Sequence, residues 1–247
     1  MNPFQSQNQR YQQPGAWRDP EEQGWGALAQ PTAAQVSLAE RLGFIRKVYA
    51  LFFLATLFAV GGVLLGFAFP PLMLFMARSP WITLLLMLGG VMGAQALRHV
   101  PGVNLLALFG FTTLTGLIIS PVLWYFSVIN PVSIIQAGLL TVGIFGGLTA
   151  YVFISKKDFS FMRGMLVTGL IVIILAGILN IFVASSALGF AFSAAALLLF
   201  SGFVLYDTSN IIRRYPTNEY VAGALSLYLD AFNIFLALLH ILNAGKR

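Results

Sequence analysis

Seven long apolar runs, separated by short polar breaks, restrict this chain more than any other feature of its sequence. They are Val48–Phe69, Trp81–Leu97, Val103–Tyr125, Val132–Ile154, Gly164–Ala184, Ala187–Ile212 and Tyr220–Asn243. A helix that crosses a bilayer needs roughly 20 residues, range about 17–25, and each run meets that length. The runs are continuous rather than alternating, which argues against the strands of a barrel. Composition closes the soluble alternative. The 247 residues are 58% hydrophobic and 9% charged, with mean hydropathy +0.84. A soluble domain carries about 25% charged residues. Pro and charge mark most of the breaks, at "FPPLMLFMARSP", "RHVPG", "FSVINP", "SKKDFSFMR" and "RRYPTNE". "ASSA" is the weakest break, but the two stretches it divides exceed one span together, so a reversal is expected there. The sequence therefore predicts an all-α integral membrane protein, with seven transmembrane helices in residues 41–247.

Residues 1–40 read as a Gln/Pro-rich cytoplasmic tail. Such a stretch buries too little apolar surface to offset its ordering entropy, so disorder is expected, with Trp17 and Trp25 as isolated large residues. It has no apolar core and is no cleavable signal peptide, so the first span serves as the insertion signal. "SLAERLGFIRK" reads as a short amphipathic lead-in lying on the membrane surface.

Lys and Arg set the orientation. With the N-terminus inside, Arg10, Arg18, Arg41, Arg46, Lys47, Arg98, Lys156, Lys157, Arg163, Arg213 and Arg214 are cytoplasmic. Only Arg78, Lys246 and Arg247 fall outside, so the cytoplasmic excess is large. These bases stand singly or in pairs between apolar runs, which is the pattern of topology signals rather than of nucleic-acid binding. Short loops favour a bacterial inner membrane, with the lipid bilayer as the obligatory surroundings. The chain has no cysteine, which excludes disulfides and thiolate chemistry.

Of the eight acidic residues, only Asp207 and Asp230 fall within spans, on consecutive helices joined by one inner turn. A charge at a helix centre costs about 2.5–3.5 kcal/mol on insertion scales, so such residues mark functional sites. Asp207 lies about 9 Å and Asp230 about 16 Å from the inner surface at about 1.5 Å per residue. The two meet if the last helix starts a turn below that surface. Like charges cannot both ionise cheaply at contact, so a meeting pair shares a proton and titrates as one unit. Gly223, Ser226, Asp230, Asn233 and Ala237 form a small and polar stripe, which in a membrane faces protein rather than lipid. Phe200, Phe203 and Val204 share the Asp207 face one to two turns deeper, as an apolar plug would. Arg98 ends the second span, either as a stop charge or as a base that neutralises the pair. Asn180, Thr112, Thr113 and Thr115 are expected to hydrogen-bond between helices, and Pro121 to kink its own.

No HExxH, GxSxG or phosphate loop appears, so no catalytic residue is assigned. An aspartate dyad also serves intramembrane proteolysis, and "LYD" at 205–207 resembles half of that signature. The other half fails, because Asp230 sits in "LYLDA" without a Gly-x-Gly-Asp turn.

"RKVYALFFLAT" (46–56), "GLIISPVLWYF" (116–126), "YDTSNII" (206–212) and "LSLYLDAFNIF" (225–235) resemble the Bax inhibitor, or TMBIM-type, family from about Arg46 onward. The resemblance implies seven helices with the last at the centre of the other six. It implies a non-enzymatic, pH-sensitive calcium leak in which Asp207 and Asp230 act as proton sensor and latch. It also places Arg98, within "QALRHVPG", in that latch. Calcium wants six to eight oxygens, so the two aspartates make a weak, transient site suited to a permeant ion, with no tightly bound cofactor. Bacterial members are linked to control of a membrane-bound protease, which implies the alternative of a regulatory partner without transport.

Overall fold

The computed structural model describes residues 31–100, 102–183 and 185–244. The tail expected over residues 1–40 lies outside the described residues as far as residue 30, with Trp17 and Trp25; so do Lys246 and Arg247. The membrane unit begins at Thr32, so the last residues assigned to the tail belong to it. Its helices are α1 (Leu38–Ala68), α2 (Pro70–Arg78), α3 (Pro80–Ala96), α4 (Val103–Ile129), α5 (Pro131–Ser155), α6 (Arg163–Val183), α7 (Ser186–Arg213) and α8 (Tyr220–Asn243). A 3₁₀ turn, Ser160–Met162, precedes α6.

Prolines open α2, α3 and α5, where the missing N–H has no intrahelical partner to lose. Gly102 turns the chain into α4 at φ +79°, a left-handed conformation that glycine adopts without a Cβ clash. Six helices are each long and apolar enough to cross a membrane. The short α2 and the 17-residue α3, bent by 97°, make a seventh crossing when taken as one broken span. The sequence placed this span at Trp81–Leu97 and read the residues before it as a break; the "PPLMLFMAR" segment is helical. The "ASSA" break is present, since α6 stops at Val183 and Ser185 caps α7 by accepting from the Leu188 N–H. The amphipathic lead-in is not a separate surface segment. It forms the first turns of α1, started by a capping box between Ser37 and Glu40. Nothing between Arg46 and Val48 breaks the helix, so it runs on into the membrane.

Helix α8 is the core element. Half of its apolar window is buried, the largest share among the six long helices. It packs against α7, α1, α5 and α4, while α3 leans on α4 and α6 on α7. The outer faces carry apolar side chains in quantity: Ile154 is 80% exposed and Leu198 76%. Surface of that kind faces hydrocarbon rather than water.

The α1–α4 seam is the closest approach in the bundle. A Cβ added at Gly116 would lie 1.8 Å from the Ala59 carbonyl oxygen, and one at Gly62 would lie 2.0 Å from that of Thr113. Small residues let two backbones touch, and van der Waals packing is what holds helices together in lipid. Pro121 sits inside α4 and leaves the Leu117 carbonyl without its usual N–H. The Ser120 hydroxyl donates to that carbonyl at 2.7 Å, so the helix continues to Ile129 with the freed group satisfied.

Candidate functional site

The charged loops meet at one end of the bundle. Arg214 donates to the Asp158 carboxylate at 2.8 Å and to Ser160 at 2.7 Å. Arg213 reaches the Lys156 carbonyl, and the Lys47 ammonium lies over the Tyr220 ring at 5.6 Å. The Ser160 N–H, then the Arg214 guanidinium, hold the Asp158 carboxyl down to about 2. Residues assigned to separate cytoplasmic loops from sequence thus share one basic end.

The loop from Arg214 to Glu219 joins α7 to α8 at that end and sets the depth of the aspartates. Val221, Ala222, Gly223, Ala224 and Leu225 are all buried, so α8 is inside the bundle from its first turn. This closes the depth mismatch computed from helical rise. The carboxyl groups of Asp207 on α7 and Asp230 on α8 lie within hydrogen-bonding reach of each other. Asp230 is 3% exposed, and Asp207 is half-buried. The Asp230 Oδ2 atom is sealed from solvent and accepts no hydrogen bond from any described donor. Two carboxyl groups bond to each other only through a shared proton. Losing that proton would change the charge of the pair.

The surroundings are those the helical spacing predicts. Gly223 and Ala237 are buried beside Asp230, and Ser226 and Asn233 half-buried, along one face of α8. Phe200 and Phe203 lie together, ring centroids 5.8 Å apart, and Val204 is wholly buried on the Asp207 side. The Tyr228 hydroxyl pairs with that of Thr115, tying α8 to α4. Of the expected interhelical polar residues, Thr115 alone makes such a bond. Thr112 and Thr113 donate to the Phe109 carbonyl of their own helix, which is the cheaper partner for a β-hydroxyl. The Asn180 Oδ1 atom has no partner among the described residues. His240, half a bundle away, holds the Leu236 carbonyl through Nδ1.

Arg98 is placed differently from its expected latch role. Its Nε lies 3.8 Å from Glu219 and 2.9 Å from the His99 ring, and its Nη1 donates to Gln95. Neither aspartate is among these partners. The packing explains this: α3 leans on α4 rather than on α8, so Arg98 reaches the residue before α8 and not Asp230 in its third turn. Glu219, unassigned from sequence, is the counter-charge, and His99 stands 3.7 Å from it.

Sequence reasoning also missed Tyr215. Its hydroxyl is 3.3 Å from that of Ser226 and is pushed up to about 12, by burial first and by the charge of Asp207 second. Three further hydroxyls converge from α1, α5 and α7. Tyr49 faces Thr149 and Thr208, yet none of the three closes a hydrogen bond of good geometry. Thr208 is entirely buried beside Asp207 in the chain. Hydroxyls at single positions on three helices leave no local pattern, so only the fold reveals the cluster.

Fold and site together define a multi-pass, all-helical membrane protein with an acid pair shared between its central helix and the helix before it. Residues 41–247 match the model of the family described as inhibitor of apoptosis-promoting Bax1. Protein lifeguard 4 of Mus musculus is 36% identical over 87% of this chain and 90% of its own length. Bax inhibitor 1 of Schizosaccharomyces pombe is 34% identical, over 85% of this chain and 79% of its own. An uncharacterized protein of Campylobacter jejuni is 39% identical, over 81% of this chain and 88% of its own. The chain belongs to the Bax inhibitor family.

Proposed function

We propose that the protein is a pH-responsive calcium leak of a bacterial inner membrane, with its N-terminus and basic end in the cytoplasm. The observation that carries this reading is the meeting of Asp207 and Asp230 across α7 and α8, with an Asp230 oxygen left without a described donor. A shared proton closes the pair; loss of that proton leaves two repelling carboxylates, at about 4 kcal/mol for unit charges 4 Å apart at an effective dielectric of 20. Repulsion of that size is enough to move helices that are joined by one short loop. It also presents oxygens to a cation. Phe200, Phe203 and Val204 supply the apolar barrier next to the switch. Cations pass a site that binds weakly more readily than one that stores them.

The competing reading is a regulatory partner of a membrane-bound protease, without transport. The face of α5 that carries Gly143, Gly146 and Gly147 favours it, since added Cβ atoms there meet nothing within 4 Å. Small residues open to lipid are the kind of surface a partner helix packs on. Purified protein in liposomes loaded with a calcium indicator separates the two. Calcium entry above that of empty liposomes supports the leak, and entry equal to theirs rejects it.

A further inference from the structure

The segment before α1 is held more firmly than its position suggests. Ala33 is completely buried although it precedes the first helix. Its N–H donates to the Tyr215 carbonyl at 2.9 Å, and Thr32 forms an isolated antiparallel bridge with Pro216. A local turn fixes the shape of this strap: the Thr32 N–H and hydroxyl both donate to the Gln35 side chain, at 2.9 and 3.1 Å. The Gln35 N–H returns to the Thr32 carbonyl at 2.9 Å.

What the strap holds is the loop that carries Tyr215. That side chain reaches inward to Ser226, one turn before Asp230 on the same face of α8. It is close enough to Asp207 to feel its charge. On the outward side the loop is tied to α3 by the Arg98–Glu219 contact. Tyr215 thus stands next to the aspartate pair on one side and next to the Arg98–Glu219 contact on the other. Pro216 has no N–H, so the loop offers the strap a carbonyl and little else. One main-chain hydrogen bond and one buried methyl group make a closure that is specific but weak.

We propose that Tyr215 is the closing residue of the cytoplasmic mouth, and that Thr32 and Ala33 form the strap that positions it. This rests on the leak reading for its purpose but not for its geometry. Release of the strap frees the loop, withdraws the Tyr215 ring from Ser226 and opens Asp207 to water.

The chain has no cysteine, so a single engineered thiol reports without background. The measurement is the labelling rate of Ser226→Cys by a membrane-impermeant maleimide applied to the basic face. Adding Ala33→Asp, which cannot stay buried at the strap, should raise that rate about tenfold, the size expected for losing one main-chain hydrogen bond and its packing. An unchanged rate would overturn the proposal. A second pair, Thr32→Cys with Pro216→Cys, tests the strap without weakening the fold. Bridge partners stand about 4.5–5.5 Å apart at Cα, within disulfide range. Oxidation should lower calcium flux and reductant should restore it. Equal flux in the oxidised and reduced forms, with wild type leaking, would show that the strap does not gate. If Ala33→Asp speeds labelling while no form of the protein carries calcium, the strap stands and the leak reading falls.

Discussion

Gly61 and Gly62 are neighbours on α1, yet alanine should act in opposite directions at the two positions. A Cβ at Gly62 would lie 2.0 Å from the Thr113 carbonyl oxygen, and one at Gly116, across the seam, 1.8 Å from that of Ala59. Ordinary contact begins near 3.4 Å, so α1 and α4 must part by about 1.6 Å to admit Gly116→Ala. The obstacle is backbone on both sides, so no side chain can swing away. Overpacking of this kind costs about 1–3 kcal/mol. Parting the helices also strains the Thr115–Tyr228 hydroxyl pair, one residue away, which is worth about 0.5–1.5 kcal/mol. At Gly61 a new methyl meets nothing within 4 Å, and replacing glycine in a helix gains up to about 1 kcal/mol. The assay is heat unfolding of purified protein in one detergent. Gly116→Ala and Gly62→Ala should unfold several degrees below wild type, and Gly61→Ala at or above it. If all three unfold together, the seam is not the close contact described here.

Three further outcomes follow from the basic end and the polar cores. Thr208→Val should stabilise by about 1 kcal/mol, because the buried Thr208 hydroxyl closes no hydrogen bond of good geometry and valine keeps its shape; a clear loss of thermal stability would show that the hydroxyl is bonded. Arg98→Gln should cost no more than about 1 kcal/mol, since its pair with Glu219 is partly exposed, and should leave the pH midpoint of calcium flux unmoved. A midpoint shifted upward with both aspartates present would return Arg98 to the switch. A reporter fused after Arg247 should be active only on the outer side, and activity confined to the cytoplasm would reverse the assigned orientation.

The sequence made legible whatever depends on local composition or on helical period. Apolar length placed the spans, and the start of α8 at Tyr220 is the one expected. The aspartates stood out because nothing else acidic interrupts an apolar run. Their meeting was open until the buried first turn of α8 removed the depth mismatch. What depends on side-chain aim across helices was not legible. Arg98 is near the right end of the bundle, but its reach is decided by the packing of α3 on α4, and it finds Glu219. Thr112 and Thr113 satisfied themselves within α4, as hydroxyls on helices do when no partner stands opposite. The strap was hidden for a different reason. Thr32 and Ala33 look like tail in composition, and a single main-chain hydrogen bond to a loop some 180 residues later leaves no trace in side-chain pattern.

The central claim is that Asp207 and Asp230 act as one proton-sharing switch on a calcium path. Its most direct test is calcium flux into liposomes as a function of pH, for wild type, Asp207→Asn and Asp230→Asn prepared alike. Asparagine keeps a hydrogen bond to the remaining carboxyl but cannot exchange the proton, so each variant holds the pair in one state. Wild type should show a pH-dependent flux that flattens in both variants. Identical pH profiles in all three proteins would contradict it.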